Sequence, residues 1–267
     1  MNDDTLDRAA RLLWQHGEDG TVLQALPAAL RPLDKAGGHA VQARLPAVTG
    51  RAVQGWKIAA TSAVGQAHIG VSGPLAGRLL QGRVHDDGAL LSLAGNRMRV
   101  AEPEFAFRFG RTLPPRAQPY TVDEVMAAVA SLHPGLEVPD SRYQDFVNAG
   151  EAQLLADNAC ASHYVLGAAA PDAWRALDLR VHRFDAQVHG ADGALKLQRQ
   201  GDGSAVLGDP RVALAWLVNE LAALGQALEA GQFVTTGTCM APLAVAPGDT
   251  VDADAGLLGR VGLRFRP

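Results

Sequence analysis

The chain has 267 residues, 48% of them hydrophobic and 19% charged, with a formal net charge of −4, enough apolar chain to bury a full core. The mild acidity and scattered Lys and Arg give no electrostatic footprint for nucleic acid or an anionic membrane, which leaves a small molecule as the expected partner. Two cysteines, Cys160 and Cys239, are too few for a disulfide framework or a cysteine zinc cluster, and no apolar run reaches the roughly 20 residues of a membrane-spanning helix.

In chain order, Asp3 or Asp4 is expected to cap a first helix whose apolar stripe is Leu6, Ala9, Ala10, Leu13 and Trp14, with Gly17 closing it. This opening does not read as an export signal, so a cytoplasmic protein is expected. More helix is predicted between Leu33 and Arg44, completing a helical part over residues 1–50. A strand over 51–59 carries Lys57 near its end, and a Thr61/Ser62 cap starts a short helix to about Ile69. The turn formers of 70–77 predict a loop with the reach of a lid.

The run Val100–Phe109 predicts a strand with Ala101, Phe105, Phe107 and Phe109 on one face and Glu102 and Glu104 on the other. Thr121 to Glu124 is a capping box, predicting a helix that stops at His133-Pro134-Gly135. Next, Leu136 and Val138 point to a core and Glu137 the opposite way. A hairpin is predicted around Ala191-Asp192-Gly193 within 179–197. Asp209 and Pro210 open a helix with the stripe Val212, Trp216, Leu217, Leu221, Leu224 and Leu228, and strands over 233–236, 250–253 and 257–265 end the chain. Strand and helix do not alternate regularly, so an α+β fold with a rolled mixed sheet over 51–267 is expected rather than a doubly wound one.

Glu102 and Glu104 on one strand face, with Glu137 as a third carboxylate, suit a hard divalent cation bound through oxygen, with open positions left for water or substrate. Phosphate-loop, dinucleotide, H-E-x-x-H and G-x-S-x-G motifs are absent. The eight histidines show no metal-ligand spacing; His68, His85, His163 and His189 read as loop or surface residues.

The segments Gly55-Trp56-Lys57-Ile58, Glu102-Pro103-Glu104, Leu136 to Arg142, Ala156-Asp157-Asn158-Ala159, Thr236-Gly237-Thr238 and Pro247-Gly248-Asp249, in this order and spacing, resemble the fumarylacetoacetate hydrolase superfamily. The likeness is to its branch of 2-oxopent-4-enoate hydratases and 4-oxalocrotonate decarboxylases, and it runs through most of the chain. It implies a mixed β-roll with a helical N-terminal part, and Mg²⁺ or Mn²⁺ on Glu102, Glu104 and Glu137. It implies Lys57 as the active-site lysine, and Gly237 and Thr238 at the substrate's acid end. Asp140, Arg142, Asp157 and Asn158 are then supporting residues.

Two departures touch the pocket: Leu75 stands where many of these hydratases have an acid, and Cys160 where the family often has serine, both making it more apolar. The implied activity is hydration of a 2-hydroxypenta-2,4-dienoate to a 4-hydroxy-2-oxo acid by a homo-oligomer. Decarboxylation of an oxalocrotonate, C–C hydrolysis of an acylpyruvate, and a catalytically impaired paralogue are the alternatives.

Overall fold

The computed structural model describes all 267 residues. The α-helices are α1 (Asp3–Asp19), α2 (Lys35–Gln42), α3 (Leu45–Thr49), α4 (Ala63–Ile69), α5 (Val122–Met126), α6 (Glu151–Ala156) and α7 (Pro210–Ala223). The strands are β1 (Val53–Ala59), β2 (Leu75–Leu80), β3 (Val84–Asp86), β4 (Ala89–Leu91), β5 (Val100–Phe109), β6 (Val129–Val138), β7 (His163–Leu166), β8 (Arg183–His189), β9 (Leu195–Asp202), β10 (Phe233–Thr238), β11 (Leu243–Ala244), β12 (Thr250–Asp254) and β13 (Arg260–Phe265).

Strands of the larger, mixed sheet follow the order β2-β1-β10-β5-β6-β7-β3, with β11 on β5, and the second sheet runs β4-β13-β12-β8-β9. Phe105, Phe107 and Phe109 put the apolar face of β5 into a core of 44 buried residues with Phe184 and Val188 of β8, Val251 and Ala253 of β12, and Leu214, Leu217 and Leu221 of α7. Each buried Phe contributes about 1.5–3 kcal/mol over an exposed one, which fixes which face of β5 turns inward. Its other face, with the two glutamates, is thereby committed to the opposite side of the sheet.

The first three helices share a smaller core of 11 residues in which Leu6, Ala9, Ala10 and Leu13 of α1 meet Leu80, Tyr143 and Ala156. The cap of α1 is Asn2, whose side chain accepts from Thr5 N, and its stop is Gly20 at φ 63, so Asp3, Asp4 and Gly17 do not hold the end positions expected of them. Both aspartates lie in the first turn, where they face the positive end of the helix dipole. Gly17 stays helical with the Arg142 side chain against it.

Three further elements differ from expectation. The loop over 70–77 ends at Pro74, because Leu75, Ala76 and Gly77 pair with Ala59, Ile58 and Lys57 of β1 as a buried strand. The Thr121 capping box forms, yet α5 ends at Met126. From Val129 the chain is β6, paired with β5 through Pro134 and Gly135, so a tertiary ladder overrides two local breakers. In α7 Val212 is exposed and Ala213, Leu214, Leu217, Val218 and Leu221 are buried, since a helix apolar nearly all round does not announce its inner face. His85, His163 and His189 lie on β3, β7 and β8 rather than in loops.

Candidate metal and active site

Pairing of β5 with β6 sets Glu102 opposite Glu137 and Glu104 opposite Gly135. One carboxylate oxygen from each of Glu102, Glu104 and Glu137 comes within 4.8 Å of the others. Glu104 and Glu137 are fully buried. On the same face, two strands away, Lys57 of β1 is 3% exposed, with Nζ 3.1 Å from Glu137 Oε1. The ammonium also donates to Ala159 O at 3.1 Å.

The register of β10 on β5 shifts between Thr235 and Thr238, a bulge that turns the Gly237 N–H onto Glu104 Oε2 at 3.1 Å. Glycine is needed there: its φ is 91, and a Cβ would lie 2.3 Å from Thr61 Oγ1. Thr238 spends its hydroxyl proton on Met240 O at 2.9 Å.

Burial, then the charge of Glu137, pushes Glu102 up to about 7 against the pull of Lys57. The Glu104 carboxyl is raised by burial and by the charges of Glu137 and Glu102, and Glu137 is raised by burial in spite of Lys57. Burial alone would lower Lys57, but Glu137, Glu102 and Glu104 outweigh it and hold the ammonium above its usual range. One lysine thus faces three acids. Glu104 Oε1 and Glu137 Oε2 are buried with no hydrogen-bond partner, and a buried carboxylate oxygen without one is costly. An all-oxygen, net-negative set of this kind fits a hard divalent cation, which would meet both the excess charge and the orphaned oxygens.

Arg142 and the buried Asp157 form an ion pair just ahead of the turn that carries Ala159. Ser141 Oγ and Arg142 N donate to Asp157 Oδ2 at 2.7 and 3.0 Å, and Arg142 Nη1 donates to Asp140 O at 2.9 Å. Asp140 takes the Arg97 N–H on Oδ1. These residues brace the backbone rather than reach the carboxylates.

Asn158 holds the edge strand β2, accepting from Arg78 N at 2.7 Å and donating to Arg78 O at 2.8 Å. It begins three successive left-handed residues, Asn158, Ala159 and Cys160, at φ 57, 51 and 60. Such a run costs roughly 1–2 kcal/mol per non-glycine residue, and it aims Ala159 O at Lys57. Cys160 and Leu75 sit together in a small apolar core with Leu154, Leu155 and Ala159. Burial, then the charge of Asp157, pushes the Cys160 thiol up to about 12, so it stays protonated.

Two neighbours of Lys57 have no side chain that marks them in the sequence. Ala159 acts through its carbonyl, which no side chain advertises. Gly77 pairs with Lys57 across β1 and β2, and a Cβ on it would lie 2.4 Å from Asn158 O and 3.0 Å from Lys57 Cγ. A glycine inside a buried strand was the available signal for such a close approach.

No family model matches the chain. The 2-keto-4-pentenoate hydratase of Paraburkholderia xenovorans (strain LB400) is 31% identical over 268 residues, 99% of this chain and 96% of that protein. The solved 4-oxalocrotonate decarboxylase of Pseudomonas putida G7, complexed with magnesium and adipate, superposes with a TM-score of 0.86 at 26% identity, covering 99% of this chain and 98% of the other. At the level of the fold alone, the fumarylacetoacetate hydrolase of Exiguobacterium antarcticum matches with a TM-score of 0.56 at 15% identity over 81% of this chain and 76% of its own. Sequence relatedness over most of its length places this chain in the family of 2-keto-4-pentenoate hydratases and 4-oxalocrotonate decarboxylases, with a fold shared by a fumarylacetoacetate hydrolase.

Proposed function

We propose that the protein is a divalent-metal-dependent hydratase that converts a 2-hydroxypenta-2,4-dienoate, the enol of 2-keto-4-pentenoate, to a 4-hydroxy-2-oxo acid in aromatic meta-cleavage catabolism. The carrying observation is the cluster of half-buried Glu102 with buried Glu104 and Glu137, Lys57 in ion contact with the last, in a chain 31% identical to a 2-keto-4-pentenoate hydratase. The three glutamates would hold Mg²⁺ or Mn²⁺. Such an ion supplies Lewis-acid stabilisation of negative charge on the oxygen at carbon 2 of a 2-oxo acid.

Lys57 holds the mobile proton of the site. Its ammonium is fixed between Glu137 Oε1 and Ala159 O, so Nζ would deliver a proton to carbon as the dienol becomes the ketone and take up the proton of the enol hydroxyl in return, after which water adds its H and OH across the remaining double bond. The Gly237 N–H keeps Glu104 from swinging toward solvent, and Ala159, packed with Leu75 and Cys160 in a small apolar cluster, holds the Lys57 ammonium through its carbonyl. A homo-oligomer in the cytoplasm, with a helical part over 1–50 and a catalytic β-roll over 51–267, belongs to the same proposal. The first three helices gather around a core distinct from the main one, although Leu80, Tyr143 and Ala156 of the β-roll part help to close it.

The likeness to a solved 4-oxalocrotonate decarboxylase favours decarboxylation of a dicarboxylic 2-oxo acid as the second reading. Following 2-hydroxypenta-2,4-dienoate and 4-oxalocrotonate by ultraviolet absorbance and product NMR, with and without Mg²⁺, separates them. Mg²⁺-dependent formation of 4-hydroxy-2-oxopentanoate is the expected result. Release of CO₂ from oxalocrotonate without hydration of the dienoate would favour the second reading, and inactivity on both would overturn the two together.

A further inference from the structure

The carboxylate-bearing face of the larger sheet contains three glycines, each overlain by a large side chain from an adjacent strand. Phe233 covers Gly55, Lys57 covers Gly77 and Tyr164 covers Gly135. The third contact is the tightest: a Cβ on Gly135 would lie 1.9 Å from Tyr164 Oη and 2.4 Å from Cζ. Tyr164 therefore occupies the space a side chain at residue 135 would take.

That space borders the metal-binding carboxylates on two sides. Tyr164 of β7 is the cross-strand partner of Glu137, which is itself paired with Glu102, and Gly135 is the partner of Glu104. Side chains at these paired positions share one face of the sheet, so a ring leaning from residue 164 over Gly135 carries its hydroxyl into the corner between Glu137 and Glu104. The ring is fully buried against Phe233, at 5.5 Å between centroids, with Leu79, Ala106 and Ala161 around it.

Tyr164 Oη has no hydrogen-bond partner, and neither does Glu104 Oε1, although the unpartnered Thr235 Oγ1 also faces that carboxylate. One is a donor and the other an acceptor that carries spare lone pairs. Leaving either unpaired in the interior is unfavourable.

We propose that Tyr164 is a positioning residue for the metal site, its phenolic O–H donating to Glu104 Oε1 once a metal ion is bound while the Gly237 N–H holds Oε2. Glu104 is then fixed at both oxygens, with the remaining lone pairs directed at the ion, and Gly135 is the residue that makes room for this arrangement. A partner behind a ligating carboxylate orients it and commonly accounts for 10- to 100-fold in metal affinity. The proposal rests on the carboxylates binding a divalent ion.

The test is calorimetric titration of Mn²⁺ into the metal-free protein and into Tyr164→Phe, with circular dichroism confirming the fold of both. The expected result is a dissociation constant at least tenfold weaker in Tyr164→Phe, with metal-free melting temperature unchanged or higher because a buried orphan hydroxyl has gone. Equal affinities would overturn the proposal and leave the metal reading standing; no Mn²⁺ binding by the unmodified protein would overturn both. Should Tyr164→Phe fail to fold, ultraviolet resonance Raman of the parent protein and of Tyr143→Phe decides. Addition of Mg²⁺ should move the tyrosine doublet toward the hydrogen-bond-donor state in the parent and equally in Tyr143→Phe, which removes the other unpartnered hydroxyl, Tyr120 already donating to Pro114 O; an unmoved doublet, or a shift lost in Tyr143→Phe, would overturn the proposal.

Discussion

At Lys57, two requirements meet in one group: the ammonium offsets the charge of Glu137 and is the proton carrier of the proposed reaction. Lys57→Met should therefore lower dienoate turnover by at least about 10²-fold, the scale of a general acid. Mn²⁺ affinity should hold or tighten, because a competing cation has been removed from a carboxylate while all three remain. Calorimetry beside the ultraviolet assay checks both parts, and a variant that turns over at the parent rate would remove Lys57 from the mechanism. Glu104→Gln should act oppositely on binding, weakening Mn²⁺ and turnover together, since an amide keeps the shape of the ligand but not its charge.

Among the elements, the parallel pair β3 and β7 carries a polar chain that titrates. Arg83 can only donate, so at 2.9 Å His163 Nε2 accepts, and Nδ1 must hold the proton that it shares with His85 Nε2 at 2.9 Å. Burial, Arg83 and His85 push His163 down to about 3 from 6.5. A histidine whose folded pKa lies below its unfolded value contributes stability that is complete above about 6.5 and is lost as pH falls toward 3. Urea midpoints should thus drop between pH 7 and pH 5 by more in the parent protein than in His163→Asn; parallel profiles would deny the histidine this part.

The turn after α6 is a second element under load. Asn158→Ala leaves Arg78 N and O without partners while Ala159 and Cys160 keep their left-handed backbone. A loss of about 2–4 kcal/mol is expected by urea unfolding. Turnover should fall as well, since Ala159 O would no longer be held against Lys57. An unchanged unfolding midpoint would show that the turn holds itself.

On the scale of the molecule, the buried carboxylates of Glu104 and Glu137, with half-buried Glu102 beside them, oppose folding in the metal-free state, and a bound divalent ion stabilises the fold by mass action. Mg²⁺ at about 100 times its dissociation constant should add about 2.7 kcal/mol. The melting temperature should rise with Mg²⁺ or Mn²⁺ and not with an equal ionic strength of NaCl. A rise common to all salts would assign the effect to screening instead.

Residue type and local period in the sequence were enough for β1, the opposite faces of β5 with Glu102 and Glu104 together, and the Thr121 cap, because alternation along a strand is a local property, whereas the approach of Glu137 depends on the register of β6 on β5. Where a strand begins or a helix stops was less legible when a partner strand decided it. Leu75 to Gly77 look like a loop until β1 lies beside them, and Pro134-Gly135 look like a break until β5 does. The details of the site depended wholly on the tertiary structure. The ion contact of Lys57 with Glu137, the Gly237 N–H on Glu104, and Tyr164 in the space left by Gly135 each join residues from different strands. Such contacts come from register, bulges and absent side chains, quantities that exist only between chain segments and so leave no periodic trace within any one of them.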